Sequence, residues 1–196
     1  MAPHAALAEI GVGYELLRIE RDEAQTDPGY LALNPLGVVP TLVDGEVVVT
    51  ESAAILLYLA DGYPQARLAP EHRAPFYGWL IFMTNTLQPA LLRLMYPEQY
   101  GGGEVGRFAA ALAEGHFDLI ERKLDDRDWL VGEHRTAADL FLFMLTRWGR
   151  HLEVPAWNRP RIRAHFLRTL TLPGVRRMLE EQGLELPDWA SPIDEQ

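Results

Sequence analysis

The chain has 196 residues, of which 48% are hydrophobic, so it has apolar side chains for one large core or two smaller ones and lacks the composition of a disordered protein. It carries 18 basic and 28 acidic residues, a formal net charge of −10, and an acidic surface repels phosphate backbones, so we expect no nucleic acid partner. Cysteine is absent, which excludes disulfides and cysteine-based metal or redox sites and fits a reducing, cytoplasmic location. No apolar run can cross a bilayer and the first residues lack a signal-peptide pattern, so we expect no membrane partner.

The first sixty residues mix helical and strand patterns. Gly11 follows an apolar helical stretch at the place where a glycine commonly ends a helix. Asp44-Gly45 separates two β-rich runs and is a strong hairpin signal. The predicted elements are a helix over residues 2–10, a strand over 14–19, a helical turn over 30–33, strands over 41–43 and 47–49, and a helix from residue 52 whose buried face holds Ile55, Leu56 and Leu59.

The rest of the chain reads as helical. Gly62, Pro64 and Pro70 mark a linker over residues 62–72, which divides the chain into a first domain, residues 1–61, and an all-helical second domain, residues 73–196. We expect the tail after Gly183 to be irregular. The predicted helices span residues 76–96, with a kink at Pro89, and residues 108–124, 137–150, 162–170 and 174–182.

Val39-Pro40 stands just before the first strand of the hairpin, after the turn residues 34–37. On this feature alone the favoured interpretation is an ordinary proline that starts a strand. The alternative is a tight turn with a cis bond, which leaves the N–H and C=O of Val39 free to pair with an extended peptide.

Glu51-Ser52 opens the helix that follows the hairpin. Ser52 is either a plain N-cap, worth about 1 kcal/mol, or part of a carboxylate site made by free N–H groups and the helix dipole. Glu51 beside it can accept from an amine. Because the hairpin brings Val39-Pro40 and Glu51-Ser52 to one edge of the sheet, the pair predicts a site for a small peptide with a free α-amino acid end.

The stretch NPLGVVPTLVDGEVVVTESAAILLYLAD, residues 34–61, resembles the glutathione-binding half of cytosolic glutathione transferases. APHAALAEIGVGYELLRIE resembles the first helix and second strand of bacterial, beta-class-like members. The resemblance implies an α+β two-domain fold, with a thioredoxin-like first domain and an all-α second domain. It implies that Val39 pairs with the cysteinyl backbone of glutathione, that Pro40 is cis, and that Glu51 and Ser52 hold the γ-glutamyl end. Glutathione would be a co-substrate, and we assign no metal ligand.

The family begins with a strand and a loop that carries the catalytic Tyr, Ser or Cys, whereas Met1 falls where the next helix begins. One interpretation, which we favour, is that the true chain starts about a dozen residues upstream, because an opened sheet leaves backbone groups unpaired at roughly 1–3 kcal/mol each. The other is a genuine truncation without the catalyst. The catalytic residue is therefore unknown and expected upstream of Met1. His4 could donate a proton, although a packing or solvated role is favoured.

The resemblance also assigns positions in the second domain. A buried capping box of the family is matched by RTAADLFLFMLTRW, residues 135–148. In it Thr136 caps a helix and the Asp139 side chain accepts from the backbone N–H of Thr136 in return, which is a structural role. The beta-class histidine near the sulfur aligns with Gln88. Tyr96 and Trp148 could line a pocket for the electrophile.

Two arginines are candidates with open roles. Arg147 could line the same pocket, and Trp148 next to it is at the same time a candidate for the core, the interpretation we favour. No lysine lies near residues 34–37 to meet the glycine carboxylate of glutathione, and Arg21 could substitute for it.

Three functions remain open. The first is a glutathione transferase that conjugates glutathione to small hydrophobic electrophiles, as in detoxification. The alternative is a non-catalytic binding or interaction module with the same fold, and the third is a glutathione-dependent reductase of mixed disulfides, which needs an upstream cysteine. The resemblance implies a homodimer.

Overall fold

The computed structural model describes residues 1–190, so the last part of the tail, residues 191–196, lies outside the described residues. Helix α1 spans Ala2–Ile10, as predicted, and ends at Gly11, whose left-handed backbone lets its N–H donate to the carbonyl of Leu7. Two short helices follow, α2 (Arg21–Ala24) and α3 (Pro28–Leu33).

The strand predicted over residues 14–19 is wrong. This segment has no regular structure, and the side chain of Leu17 is 79% exposed. A strand requires a neighbour that pairs with its backbone, and the sheet found in residues 1–190 contains two strands that pair with each other alone. Side chains hold the segment instead: the hydroxyl of Tyr14 donates to Glu181 Oε2 over 2.6 Å.

The predicted hairpin is confirmed. Strands β1 (Thr41–Asp44) and β2 (Val47–Thr50) run antiparallel, with Thr41 opposite Thr50 and Asp44 opposite Val47. Helix α4 (Ser52–Gly62) follows directly and buries the predicted face of Ile55, Leu56 and Leu59.

Helices make up the rest of the described chain. The predicted long helix consists of α5 (Arg73–Phe82), a π-helical turn (Met83–Leu87) and α6 (Gln88–Met95). The wide turn comes just before Pro89, whose missing N–H and bulky ring interrupt ordinary α-helical bonding. The later helices are α7 (Gly103–Lys123), α8 (Ala137–Trp148), α9 (Pro160–Leu170) and α10 (Pro173–Gln182).

These later helices agree with the predictions to within two residues at each boundary, apart from the start of α7; helix α8 ends at Trp148, two residues before its predicted end. Helices α9 and α10 begin one or two residues early, at prolines, because the first helical turn needs no N–H donor there. Helix α7 begins at Gly103, five residues before its predicted start at residue 108. A 3₁₀ turn over residues 188–190 closes the otherwise irregular segment after α10.

Helix α8 is the centre of the core. Every residue from Ala137 to Arg147 is buried, and α8 packs against α1, α4, α5 and α9. Helix α1 packs most extensively on α10, so the beginning and the end of the described chain are in contact. None of the helices in residues 1–190 is both long and apolar enough to cross a membrane.

Candidate functional site

The turn before β1 holds an exposed piece of backbone. The Val39-Pro40 bond is cis. The carbonyl of Val38 accepts from the buried Asn34 Nδ2 over 2.6 Å and from the Tyr30 hydroxyl over 2.8 Å, which fixes the turn. Val39 is 57% exposed, and in residues 1–190 its N–H and C=O take part in no hydrogen bond. Its backbone is therefore available to a ligand that pairs as a strand does.

Gly37 fixes the position of this turn. Its φ of +61° is left-handed, and a Cβ there would stand 2.9 Å from the carbonyl oxygen of Ala24 and 2.9 Å from the Cα of Gln25. The turn thus packs directly on the end of α2, and only glycine permits both the conformation and the approach.

Glu51 begins α4 in an unusual conformation. Its φ of 69° is left-handed although it carries a side chain, and such strain persists where the surroundings require it, often at functional sites. Ser52, predicted as the N-cap, is the first helical residue, because the bend at Glu51 turns the chain into the helix one residue earlier. No side chain caps α4, so the N–H groups of its first turn stay available to an anion.

The hairpin brings the two features together. Thr41 lies opposite Thr50, so Pro40 and Glu51 are the next residues beyond the same end of the hairpin. The free backbone of Val39 and the uncapped start of α4 at Ser52 thus share one edge of the first domain. This arrangement can accept an extended peptide and a terminal carboxylate and amine at once.

The candidates for the electrophile pocket lie in different surroundings. Gln88 opens α6 directly after the π-helical turn, a feature that is frequent at functional sites. Tyr96 ends α6 with the guanidinium of Arg21 4.6 Å from its ring centroid. Arg21 also donates to Gln99 Oε1 over 2.9 Å, so it bridges α2 to the second domain. Trp148 ends α8 and packs against the hydrophobic core.

His4 belongs to a polar cluster between α1 and α10. Its Nε2 lies 2.6 Å from Glu181 Oε2, and its Nδ1 lies 2.9 Å from Gln182 Nε2, an amide donor. A neutral ring that carries its proton on Nε2 satisfies both contacts, and burial lowers the pKa of His4 from its ordinary value. These partners support the packing role.

The Glu181 carboxylate is the shared hydrogen-bond acceptor of this cluster. It accepts from the Tyr14 hydroxyl and from Arg177 Nε, at 2.6 and 2.7 Å, in addition to His4. These hydrogen bonds, that of Tyr14 first, lower the pKa of Glu181 to about 2, so it is ionised at neutral pH. The cluster was not predicted, because Tyr14 and Glu181 are 167 positions apart in the chain.

The reciprocal bonds of a capping box are present at the start of α8. Asp139 Oδ2 accepts from the backbone N–H and the hydroxyl of Thr136, at 2.7 and 3.0 Å. Its other oxygen accepts from the backbone of Leu130 and from His165 Nε2. The site is fully buried, which agrees with a structural role.

Arg147, also a candidate for the electrophile pocket, contacts the segment after α10. It is buried, and its Nη2 donates to the backbone carbonyl of Glu185, in the segment after α10, over 3.0 Å. In residues 1–190 no group of three or more histidine, aspartate and glutamate side chains is placed to hold a metal ion.

The fold and the site define a two-domain protein with a thioredoxin-like first domain, which carries a cis-proline turn, and a helical second domain. The family model for the N-terminal domain of glutathione S-transferase matches residues 1–61, and the model for the C-terminal domain matches residues 82–173. The chain belongs to the glutathione S-transferase family.

Several bacterial glutathione S-transferases resemble this chain over nearly its whole length. Glutathione S-transferase GST-4.5 of Xanthomonas campestris and GstA of Escherichia coli O157:H7 are each 29% identical to this chain, over 94% of this chain and 94% of the relative. A beta-class glutathione S-transferase of Sphingomonas chungbukensis superposes with a TM-score of 0.84 at 30% identity, covering 94% of both chains. A sphingomonad glutathione S-transferase solved with glutathione gives a TM-score of 0.85 at 29% identity, with the same coverage.

Proposed function

We propose that this protein is a glutathione transferase that joins the thiol of glutathione to small hydrophobic electrophiles. The observation that carries the proposal is the placement of the free Val39 backbone and the start of α4 at one end of the same hairpin. Glutathione offers the matching groups, a peptide backbone in its middle and an α-amino acid at its γ-glutamyl end.

Each part of the site has a role in holding glutathione. The N–H and C=O of Val39 pair with the cysteinyl residue, as a strand would, and Pro40 holds this backbone at the surface. Ser52 and the uncapped N–H groups of α4 bind the γ-glutamyl carboxylate, where the helix dipole favours a negative charge. Glu51 accepts from the adjacent ammonium group.

Conjugation requires the thiolate, which forms when the glutathione thiol releases its proton to solvent. The thiolate attacks the electrophilic carbon, a sulfur–carbon bond forms, and the leaving group, chloride in an aryl chloride, departs with its bonding electron pair. We assign stabilisation of the thiolate to the N-terminus of α1, a nine-residue helix that packs against α4. The electrophile would lie against the second domain, near Gln88 and Tyr96, with Trp148 as a wall. The proposal assigns no hydroxyl or thiol donor to a residue of this chain.

The protein is proposed to act as a homodimer. Helices α5 and α7 expose apolar side chains at helical spacing, Tyr77 with Ile81 and Phe108 with Leu112. A second copy would cover these faces, which supports the proposal. Light scattering should give a molar mass of twice the 22.2 kDa of one chain. Phe108→Glu should shift this mass towards that of the monomer. A monomer in the unchanged protein would overturn this part.

A reducing, cytoplasmic location is part of the same proposal, because glutathione is kept largely as the free thiol there.

The decisive experiment measures glutathione binding by calorimetry and conjugation to a nitro-substituted aryl chloride by absorbance. Glu51→Gln should weaken glutathione binding about 10- to 100-fold, because a charged hydrogen bond is worth roughly 1.5–3 kcal/mol. The variant keeps the length of the side chain and the same backbone strain. Glu46→Gln, exposed in the turn at the other end of the hairpin, is the control and should bind as the unchanged protein does.

Two results would contradict the proposal. If Glu51→Gln and the unchanged protein bind glutathione equally well, Glu51 is not part of the glutathione site. Tight binding without conjugation above the uncatalysed rate would favour a non-catalytic binding module.

A further inference from the structure

We propose that the second domain carries a separate ligand site that binds small aromatic carboxylates, in the cavity between the end of α8 and the segment after α10. The cavity has a volume of about 530 Å³. That volume is within the range of small-molecule sites. Val39, Glu51 and Ser52, proposed to bind glutathione, and Gln88, Tyr96 and Trp148, proposed to bind the electrophile, do not line it; Arg147, the remaining candidate from the sequence, does. The lining residues are Arg147, Arg150, Trp157, Gly183, Leu184, Glu185, Leu186 and Pro187.

Two guanidinium groups face this cavity without a negative partner. Arg147 is 8% exposed and donates to the carbonyl of Glu185, and Arg150 Nη1 donates to the carbonyl of Arg147 over 2.8 Å. Both acceptors are neutral, and within residues 1–190 neither arginine takes part in an ion pair. The remaining N–H groups of Arg147 have no hydrogen-bond partner among the described residues.

Among the arginines of residues 1–190, Arg147 alone is buried, whereas the other arginines without an ion pair have access to water. Elsewhere in the second domain Arg159, Arg161 and Arg168 each meet an aspartate within 2.8 Å, and the whole chain has a net charge of −10. Burial, and secondarily Arg150, lowers the pKa of Arg147, yet a guanidinium stays protonated at neutral pH. A buried positive charge without a counter-ion is costly, so an anion that enters the cavity is stabilised there.

The other walls indicate the body of the ligand. Trp157, Leu184, Leu186 and Pro187 provide apolar surface beside the two arginines. A guanidinium matches the planar fork of a carboxylate, and the indole of Trp157 suits a flat ring. A phosphate ion, more strongly hydrated, gains nothing from apolar walls. The cavity therefore fits an aromatic ring that carries a carboxylate.

The test is a calorimetric titration of the complete protein with benzoate at constant ionic strength. Benzamide has the same shape without the charge and should bind at least tenfold more weakly. Arg150→Gln, at an exposed position, should weaken benzoate binding about tenfold, and Arg150→Lys should recover part of it. Arg107→Gln, on the surface of α7, is the charge-matched control and should change nothing.

Two further measurements locate the site. Benzoate should change the tryptophan fluorescence of the unchanged protein, and Trp157→Phe should remove most of that change. Saturating glutathione should leave the benzoate affinity unaltered, so this result does not depend on the function proposed above.

Four outcomes would overturn the proposal. These are no benzoate binding, equal binding of benzamide, equal binding by folded Arg147→Gln and Arg150→Gln variants, and competition by glutathione. The chain's own acidic residues Asp194 and Glu195 are the remaining source of carboxylates. A fifth outcome would also overturn it: if the double variant Asp194→Asn with Glu195→Gln binds benzoate tenfold more tightly, the chain's own carboxylates compete for the cavity in the unchanged protein, and the cavity is not a site reserved for a free ligand.

Discussion

Arg135 Nε donates to Glu9 Oε2 over 2.7 Å and so joins the loop before α8 to helix α1. The other oxygen of Glu9 accepts from the backbone N–H of Gly174, at the start of α10, over 2.6 Å. The Glu9 side chain is 4% exposed, so both of its oxygens are used in a buried position. One carboxylate therefore links three parts of the chain that are distant in sequence.

Glu9→Gln should lower the free energy of unfolding by about 2–4 kcal/mol, because it leaves a partly buried arginine without its charge partner. Urea unfolding followed by circular dichroism measures the change. Glu104→Gln is the control, since Glu104 pairs with Arg107 on an exposed face and should cost less than about 0.5 kcal/mol. Equal costs for the two variants would show that the buried link adds nothing.

Gly174→Ala should destabilise the contact between α1 and α10. A Cβ at this position would stand 2.4 Å from the backbone nitrogen of Glu9, and backbone cannot move aside as a side chain can. We expect a loss of about 1–3 kcal/mol. Gly115→Ala in α7 meets nothing within 4 Å and should instead stabilise by up to about 1 kcal/mol through helix propensity. Thermal unfolding of both variants is the measurement, and the same sign for both would contradict the packing argument.

Asp139→Ala should be among the most destabilising single changes in the second domain. It would leave the buried donors of Leu130, Thr136 and His165 without an acceptor, at about 1–3 kcal/mol for each unsatisfied group. Thr136→Ala removes one cap alone and should cost about 1 kcal/mol. Chemical unfolding should therefore rank Asp139→Ala well above Thr136→Ala, and the reverse order would exclude the aspartate as the centre of the network.

The hydrogen bonds of Glu181 predict that the stability of the folded protein falls at acidic pH. The pKa of Glu181 is lowered from 4.5 to about 2 by its hydrogen bonds, so its ionised form stabilises the folded protein fully above about pH 4.5. This contribution is lost as the pH falls from about 4.5 to about 2, because the unfolded state takes up the proton first.

Glu181→Gln tests this sign directly. The melting temperature of the unchanged protein should exceed that of the variant at pH 7, and the difference should shrink steadily below pH 4.5. Tyr14→Phe, which removes the largest cause of the shift, should show a smaller loss over the same range. A difference that stays constant from pH 7 to pH 3 would refute the assignment.

Local patterns predicted the elements whose stability is local. Helix α1 with its Gly11 end, the hairpin around residues 41–50 and the apolar face of α4 follow from spacing and turn chemistry, and the structure confirms them. The strand predicted over residues 14–19 is wrong because a strand forms only where another strand pairs with its backbone, and the amino-acid pattern of a segment does not show whether such a strand lies beside it. The N-cap moved from Ser52 to Glu51 because a left-handed glutamate is not a conformation that sequence statistics favour.

Side-chain contacts between residues distant in sequence could not be predicted either, because the pattern of one segment does not show which other segment packs against it. Arg147 was a candidate wall of the electrophile pocket, yet its partner is a carbonyl 38 positions later. Arg21 was a candidate for the glycine carboxylate of glutathione, and its contacts are with Tyr96 and Gln99. A side chain's partner across the fold cannot be read from the spacing of its own segment. The assignments of Val39, Glu51 and Ser52 remain predictions that the binding experiments test.

The packing of α1 on α10 also has a consequence for synthesis. Glu9 and Gly174 are 165 positions apart, and a ribosome adds roughly 5–20 residues per second. The first helix therefore waits on the order of ten seconds or more, with its apolar face open, before its partner leaves the exit tunnel. During that interval α1 can already pack on α4, but the surface that α10 covers stays exposed. Exposed apolar surface on an incomplete chain favours aggregation.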